Sequence, residues 1–333
     1  MKPYTLLRTL STKLSAKHAS CTITPWPPVR TSIDKWLESE IDQLRLSSSI
    51  NQCTTAKWLA KALDLTISSQ KMLIRSMSNF RSSQRPIDTK MVDEYLEDSV
   101  QLLDACNGLR ERIEVINRYV ESINIALHWI EATNEPSETA IRRAEAALNS
   151  CEAVERRCLE LEKCGSNLRK LGEKISKQCY FTREQFGGNH NDGDEFNEAI
   201  VGSRAMTIFV VSILGIAFSF KSRRGIPLIH LPKNSSWENS FHELHKEGKE
   251  EFDKRRKSGV KAMVDLDATA STAKKLREVI ASRRRGDLKS KAQMLRKTCM
   301  ELEQRIKPFE NKVNELFREI VDVRMGLLEM CTV

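Results

Sequence analysis

Residues 92–130, VDEYLEDSVQLLDACNGLRERIEVINRYVESINIALHWI, decide the fold class of this 333-residue chain. Apolar or small residues recur in this stretch at steps that alternate between three and four, without a break. That spacing predicts one long helix, from Asp88 to about Ile130, with a continuous stripe of side chains along one face. The stripe comprises Val92, Tyr95, Ser99, Leu102, Cys106, Leu109, Ile113, Ile116, Val120, Ile123, Leu127 and Ile130.

The C-terminal segment carries the most regular version of the same pattern. Its steps of four and three predict a second long helix, although Pro308 lies inside it. Proline removes one backbone hydrogen bond and clashes with the preceding turn, so we expect a kink or a break at this position. The stripe comprises Leu288, Ala292, Leu295, Cys299, Leu302, Ile306, Phe309, Val313, Leu316, Ile320, Val323, Leu327 and Met330.

Further helical patterns fill most of the remaining chain, and either Thr54 or Thr55 is placed to cap one of them. Another pattern resumes near Ser236 and continues to about Gly286. Both long stripes also suit a dimeric coiled coil, but short turns between long helices make a bundle within one chain the simpler arrangement. We therefore predict an all-α fold, an elongated antiparallel bundle of heptad-patterned helices with one short apolar helix that is central or transmembrane-like.

Composition divides the chain into five segments. Residues 1–32 are expected to be disordered and resemble a transit peptide, and residues 33–186 form the N-terminal half of the bundle. Residues 187–198 begin with the glycine- and acid-rich run GGNHNDGDE and are predicted to be a linker. Residues 199–220 form the apolar helix, and residues 221–333 form a C-terminal helical half that packs on the first.

The N-terminal segment bears on localisation. It contains no acidic residue, because the first one in the chain is Asp34, whereas Ser, Thr, Lys and Arg are frequent in it. This composition is typical of an organelle transit peptide, and an ordinary disordered basic tail is the alternative. A secretory signal is not expected, because no continuous apolar core follows the early charges. We expect an intracellular, membrane-associated protein, with the chloroplast, the cytosol and the endomembranes as open alternatives.

An uncharged run, AMTIFVVSILGIAFSF, extends from Ala205 to Phe220 between Arg204 and Lys221. A bilayer core of about 30 Å requires about 20 apolar residues, so the run is slightly short, and extension back to Ala199 includes Arg204. Three alternatives are open: a membrane span, a helix on the membrane surface, or a helix buried by the others. We expect membrane association, and the candidate residues are Ala205, Phe209, Val210, Ile213, Leu214, Ile216, Phe218 and Phe220.

The charge pattern argues against nucleic acid as a partner. The formal net charge is +9, but Lys and Arg are interleaved with Glu and Asp along the predicted helices. Interleaved charges are typical of the solvated faces of helices, and no nucleic-acid-binding motif accompanies them. We therefore expect no nucleic acid partner.

The search for catalytic and metal-binding patterns also has a negative result. His242 and His245 frame the sequence HELH, which lacks the HExxH spacing of a zincin helix. No P-loop, GxGxxG or GxSxG motif occurs, and the nine cysteines include no CxxC. The cysteines on the stripes are explained as buried thiols in a reducing compartment. We predict no catalytic residue, no metal and no cofactor.

One stretch resembles a known family. The tryptophan-led run WLAKAL at 58–63 and the run VDEYLEDSVQLLDACN at 92–107 resemble the plant BYPASS family, whose motif is close to D-x-Y-L-D-x-S-V-x-L-L-D-x-C-N. Met91 stands where many members have a second tryptophan, and Glu97 replaces an aspartate; neither change alters the helical prediction. The matching residues are Trp58, Tyr95, Leu96, Ser99, Leu102, Leu103, Asp104, Cys106 and Asn107.

The resemblance implies a physiological role rather than a reaction. Similar proteins are required for root and shoot development, and they restrain a root-derived mobile signal thought to derive from a carotenoid. Some are described as chloroplast-targeted, and relatives have been linked to exocyst components and secretion. We therefore expect a non-enzymatic regulator or adaptor that binds protein partners through helical surfaces, and the resemblance points to partners of the exocyst type. The alternatives are an exocyst-linked secretion scaffold, or an enzyme or carrier for an apolar precursor.

Overall fold

The computed structural model describes residues 31–47, 53–82, 88–133, 135–157, 167–175, 193–221, 225–229, 231, 236–282 and 285–331. Within these ranges all regular secondary structure is helical, which confirms the all-α prediction. Most of the predicted segment 1–32, and residues 187–192 of the predicted linker, lie outside the described residues. The helices are α1 Ser32–Leu46, α2 Ala56–Ser82, α3 Thr89–Glu131, α4 Glu138–Arg157, α5 167–175, α6 Gly193–Ala217, α7 Glu238–Lys257, α8 Val264–Ala281 and α9 Arg285–Cys331.

Side-chain caps fix where the helices of the N-terminal half begin. The Thr55 hydroxyl accepts a hydrogen bond from the backbone N–H of Trp58 at 3.4 Å, and Asp88 accepts from the N–H of Met91 at 3.3 Å. Such acceptors satisfy N–H groups that have no partner inside the first turn. Thr55 is therefore the cap of α2, whereas the Thr54 hydroxyl donates to Glu251 at 2.6 Å.

The two predicted stripes face each other and the core. The residues of the α3 stripe are at most 5% exposed, and those of the α9 stripe are at most 7% exposed. The helices run antiparallel, because Glu131 accepts from Arg296 at one end and Ser99 accepts from Arg324 at the other. Alternating steps of three and four thus produced the shallow helix pairing that they predict.

Helix α6 lies in the middle of the bundle and contacts α1, α2, α3 and α7. It runs antiparallel to α2, where Thr207 meets Gln70 and Phe196 stacks on Phe80, and parallel to α3. Helix α9 is likewise antiparallel to α3 but parallel to α2. Helices that lie against both members of an antiparallel pair must be parallel to one of them. The arrangement is therefore a bundle of mixed helix directions.

Of the kink or break expected at Pro308, the break does not occur. Helix α9 continues through this residue from Arg285 to Cys331. The prolyl ring is exposed, while its neighbours Ile306 and Phe309 are 0% and 1% exposed. The apolar stripe is buried on both sides of the proline, so packing outweighs the lost backbone hydrogen bond, which costs about 3 kcal/mol.

Two predicted boundaries require correction. Helix α6 already begins at Gly193, so the last part of the predicted linker 187–198 is helical. Glu195 in its first turn suits the positive end of the helix dipole. The helix predicted from Ser236 to about Gly286 is divided, because α7 ends at Lys257 and α8 begins at Val264.

Gly259 explains the division between α7 and α8. Its φ is +71°, the left-handed conformation that glycine adopts without a steric penalty. The N–H of Gly259 donates to the carbonyl of Arg256 at 3.1 Å, and the N–H of Val260 donates to that of Arg255 at 3.3 Å. Bonds of this kind close the last turn of a helix whose carbonyls would otherwise lack partners.

Replacing Gly259 with alanine is expected to lower the free energy of unfolding by about 1 kcal/mol. A Cβ atom at this position would contact nothing within 4 Å, so the loss comes only from the left-handed backbone. Urea denaturation followed by circular dichroism measures it. Gly286 is the matched control, because it also has open space but lies in the first turn of α9. A Gly286→Ala variant as destabilised as Gly259→Ala would contradict the explanation.

Candidate functional site

The residues that match the family motif lie on α2 and α3. The structure brings part of the set into the core and leaves the rest at the surface. The buried members, at most 2% exposed, are Trp58, Tyr95, Ser99, Leu102 and Cys106; Leu96 and Leu103 are half-buried, and Asp104 and Asn107 are exposed.

Tyr95 begins a chain of buried hydrogen bonds that joins three helices. Its hydroxyl donates to Gln70 Oε1 at 2.8 Å, and Gln70 Nε2 donates to Thr207 Oγ1 at 2.8 Å. The Thr207 hydroxyl donates in turn to the carbonyl of Ser203 at 2.6 Å. Burial raises the pKa of Tyr95 above its ordinary value, so the phenol stays neutral and remains a donor. α3, α2 and α6 are thereby held in one register.

A buried ion pair lies beside this chain. The Arg204 guanidinium of α6 pairs with the Asp98 carboxylate of α3, and the two side chains are 4% and 1% exposed. Lys174 of α5 approaches the same carboxylate at 3.0 Å and Glu97 at 2.6 Å. Desolvation opposes the charge of Lys174, but the hydrogen bonds that its ammonium donates to both carboxylates outweigh this effect and raise the pKa of Lys174. The same hydrogen bond lowers the pKa of Glu97.

Arg324 connects α9 to the motif. Its guanidinium donates to the carbonyl of Leu96 and, at 2.7 Å, to the hydroxyl of Ser99. The Ser99 hydroxyl donates to the same Leu96 carbonyl at 2.7 Å. The polar side chains near the start of α3 therefore meet partners from α2, α5, α6 and α9.

This cluster is built to specify packing. Tyr95, Lys174, Arg204 and Arg324 each donate to an acceptor within the cluster. A buried ion pair fixes which helix faces meet, because any other register would leave charges unpaired. Tyr95 and Asp98 are at most 1% exposed, so neither group faces open solvent. The geometry supports a structural role for the motif rather than acid–base chemistry on a substrate.

Four of the five described thiols are buried, and the fifth, Cys331, is exposed at the end of α9. Burial raises the pKa of Cys53, Cys106, Cys151 and Cys299 to about 12, so these thiols stay protonated near neutral pH. Among the described residues no group of three His, Cys, Asp or Glu side chains is placed to hold a metal ion. In the HELH sequence, His245 is buried, with Nε2 2.7 Å from the carbonyl of Pro227, whereas His242 is exposed.

The apolar segment occupies the interior of the bundle. Helix α6 is long and apolar enough to cross a membrane from Glu195 to Ala217, but 89% of its most apolar window is buried inside the protein. The structure thus has the third of the three alternatives, a helix enclosed by the others. Each predicted membrane-segment residue is at most 9% exposed: Ala205, Phe209, Val210, Ile213, Leu214, Ile216, Phe218 and Phe220.

Sequence reasoning found Tyr95 and Ser99 but missed Gln70, Thr207 and Arg324 as their partners. Each missed residue is polar at a position that packs inward on its helix, which is the only local signal available. A polar residue on an inward face requires a partner, but the sequence does not show where that partner lies. Asp98 follows Glu97 in the quoted stretch, and such acidic pairs on helices are typical of a solvated face, so the burial of Asp98, which is 1% exposed, corrects that expectation.

Comparison with known proteins shows which proteins the sequence of this chain is similar to. The family model described as Protein BPS1 matches residues 59–330. Protein BPS1, chloroplastic, of Arabidopsis thaliana is 23% identical over 304 residues, which cover 91% of this chain and 83% of that protein. Protein ROH1D of Arabidopsis thaliana is 32% identical over 83 residues, 24% of this chain and 21% of its own length.

Rice supplies a second group of relatives. UPF0496 protein 4 of Oryza sativa subsp. indica is 26% identical over 266 residues, which cover 75% of this chain and 55% of that protein. The chain therefore spans about half the length of these rice relatives. None of these proteins is named for an enzymatic activity, and no solved structure matches the chain. Because the family model covers most of the chain and includes the α3 motif, the chain belongs to the BPS1 family, as its resemblance to the BYPASS proteins predicted.

Proposed function

We propose that this chain is a non-enzymatic helical adaptor that acts in plant root and shoot development by restraining a root-derived mobile signal. It does so by binding a protein partner, an exocyst-type helical protein, through the outer surface of α3 and α9. Family membership supports the BYPASS-like role, and the developmental signal and the partner follow from the resemblance.

The observation that carries this proposal is the distribution of exposed apolar side chains. Among the described residues, nine large apolar side chains are exposed, and six of them lie on two helices, α3 and α9. Exposed apolar side chains that recur on one pair of elements favour a contact surface over chance scatter. The six are Val100, Ile125, Met294, Met300, Met325 and Leu328, which are 39–53% exposed.

Four of these side chains occur at matching levels of the α3–α9 pair. Arg324 is bonded to Ser99, so Met325 and Val100 follow directly after a bonded pair. Towards the other end, the Cys299 thiol lies 3.9 Å from Asn124, and Met300 and Ile125 follow that pair. Methionine adapts its shape to a partner, which suits a protein-binding surface. We name these six residues the α3–α9 surface.

The packing around α6 favours an adaptor over a carrier of an apolar precursor. A carrier of that kind requires a cavity within the bundle axis. Phe218, directly after α6, instead meets Phe309 of α9 edge to face, with ring centres 5.0 Å apart. Phe209 meets Phe241 of α7 in the same manner at 5.5 Å. Aromatic pairs of this geometry fill the space between helices with side chains.

We also propose that membrane association is peripheral and that the protein reaches the chloroplast. The enclosure of α6 supports peripheral contact, because insertion would expose the surfaces that now cover it. Arg204 also supports peripheral contact, because the carboxylate that neutralises its charge belongs to Asp98 on α3 of the same chain. The chloroplast proposal rests on the acid-poor N-terminal composition and on a relative named chloroplastic.

One fractionation experiment tests these proposals together. The full-length chain, tagged at its C-terminus, is expressed in plant cells, and chloroplast and endomembrane fractions are extracted with carbonate. We expect carbonate to release the chain. Capture of the chain from a parallel extract, prepared near neutral pH without carbonate, is expected to recover exocyst subunits, and the double variant Met325→Glu/Leu328→Glu is expected to recover about tenfold less.

Leu46→Glu is the matched control, because Leu46 is 86% exposed but lies at the end of α1. This variant is expected to recover as much partner as the unmodified chain. Equal recovery by both variants would remove the α3–α9 surface from the proposal. Absence of exocyst subunits from the unmodified sample would reject that partner, and resistance to carbonate would show that α6 is inserted.

A further inference from the structure

A cavity of about 620 Å³ opens outside the packed core, at the carboxyl ends of α6 and α7. One wall is the last turns of α4, and another is the loop between α7 and α8, from Gly259 to Ala262. The volume lies in the range of pockets that hold small organic molecules. Its place at the helix ends separates it from the α3–α9 surface.

The cavity wall is rich in basic side chains. Two carboxylates are present, and both are already paired: Glu155 with Lys261 at 3.0 Å, and Glu152 with Arg277. Arg256, another wall residue, pairs with Asp253 at 2.8 Å. The basic members of the wall are Arg156, Lys221, Arg256, Lys261 and Arg277.

Two of these cations remain available to a ligand. Arg156 and Lys221 are exposed, and no carboxylate of the described ranges lies within ion-pair distance of either. The carboxyl ends of α6 and α7 contribute partial negative charge of about half a unit each, which offsets part of this potential. The wall nevertheless keeps an excess of positive charge, because it has five basic side chains and two carboxylates.

The floor of the cavity is apolar. Ile216 in the last turn of α6 and Phe220 three residues beyond its end are 9% and 3% exposed, and Ala262 is 9% exposed. Val260, on the loop, is 39% exposed. Lys261 Nζ lies 5.4 Å from the centre of the Phe220 ring, so that charge sits directly above the apolar floor. A ligand in this cavity meets apolar side chains on one side and cations on the other.

We propose that this cavity binds a small organic anion with an apolar portion, a phosphate or carboxylate group meeting Arg156 and Lys221 while the apolar part covers Val260 and Phe220. Arginine and lysine both bind phosphate and carboxylate groups through charge-assisted hydrogen bonds. The same chemistry is present in a free amphipathic metabolite and in the headgroup region of an anionic lipid. This site does not depend on the proposed adaptor function, because the residues of the cavity differ from those of the α3–α9 surface.

Isothermal titration of the purified full-length chain with octyl phosphate, below its micelle concentration, tests the site. Inorganic phosphate is the comparison, because it has the charge without the apolar portion. We expect one site per chain that binds octyl phosphate about tenfold more tightly than inorganic phosphate, as burial of several methylene groups predicts. Arg156→Glu/Lys221→Glu is expected to weaken both ligands about tenfold or more.

Lys289→Glu/Lys307→Glu is the control of equal charge change, on exposed lysines of α9 away from the cavity wall. It is expected to bind like the unmodified chain. Val260→Ser is expected to weaken octyl phosphate alone. Equal weakening by both double variants would overturn the site, because the effect would then be one of net charge. An unchanged affinity of Val260→Ser for octyl phosphate would overturn the apolar part of the proposal.

Vesicles distinguish the two sources of the anion. The chain is sedimented with phosphatidylcholine vesicles that contain or lack phosphatidic acid. Loss of binding to the anionic vesicles in Arg156→Glu/Lys221→Glu, with the control double variant unaffected, assigns the site to a lipid headgroup. Vesicle binding that the cavity variant leaves unchanged, together with lost octyl phosphate binding, assigns it to a free ligand. Thermal unfolding of each variant within a few degrees of the unmodified chain verifies the fold.

Discussion

Replacing Asp98 with alanine is expected to lower the free energy of unfolding by about 3–5 kcal/mol, because the change leaves the buried guanidinium of Arg204 without that carboxylate. Both side chains are at most 4% exposed, so water cannot replace the lost partner. Urea denaturation followed by far-ultraviolet circular dichroism measures the change. The loss is expected to appear mainly as a lower midpoint with an unchanged slope.

Glu97 provides a matched control one residue away. It pairs with the same Lys174 at 2.6 Å, but its side chain is 70% exposed. Glu97→Ala is therefore expected to leave the midpoint almost unchanged, because surface ion pairs contribute little. A loss in Glu97→Ala that equals the loss in Asp98→Ala would show that Lys174, rather than the buried pair, accounts for the effect.

A double-mutant cycle isolates the pair itself. Asp98→Ala with Arg204→Met removes both charges, so the double variant is expected to lose clearly less stability than the two single losses added together. Methionine retains much of the apolar volume of the arginine stem, which limits the cavity. Strictly additive losses would contradict direct coupling between α3 and α6 at this position.

The parts of the fold that depend on the spacing of nearby residues were predictable from the sequence. The α3 and α9 stripes were predicted residue by residue, because helical periodicity places their members on one face whatever packs against it. Gly259 also carried a local signal, since glycine after a basic, polar turn is typical of a helix end. The prediction of one continuous helix from Ser236 to about Gly286 did not take this glycine into account, and the structure divides the helix at Gly259.

The environment of α6 was not predictable in the same way. Composition describes an apolar helix, and the same composition suits a membrane or a protein core. The enclosure depends on where the surrounding helices pack, which periodicity does not encode. In the sequence, Arg204 is a charge inside the extended apolar stretch from Ala199, whereas the structure pairs it with Asp98, which lies 106 residues earlier in the chain. Local periodicity does not show which distant residue pairs with Arg204, so the enclosure of α6 could not be predicted from the pattern.

The anion-binding cavity was beyond sequence reasoning for a related physical reason. Arg156 and Lys221 come from different elements, and the loop that carries Val260 belongs to a third. No spacing rule connects residues that meet only after the bundle forms. The motif on α3, in contrast, was detectable because its residues are contiguous, although its buried partners were not.

Replacing Phe209 with alanine is expected to lower the free energy of unfolding by about 3–5 kcal/mol, measured by urea denaturation in buffer without detergent. Phe209 is 0% exposed, and its ring meets Phe241 at 5.5 Å and His245 at 5.4 Å. The cavity left by the ring would separate α6 from α7. Phe209→Leu retains most of the volume and is expected to lose about 1 kcal/mol.

Phe317→Ala is the control for this prediction, because Phe317 is half-buried on α9 beneath Arg110, whose guanidinium carbon lies 4.5 Å from the ring centre. Its loss is expected to be less than half that of Phe209→Ala, since water can fill the space that the ring leaves. If the two variants lose equal stability, Phe209 is not enclosed by protein, and α6 is the lipid-facing helix that its composition also allows. A large loss confined to Phe209→Ala in detergent-free buffer identifies α6 as the helix around which the others pack.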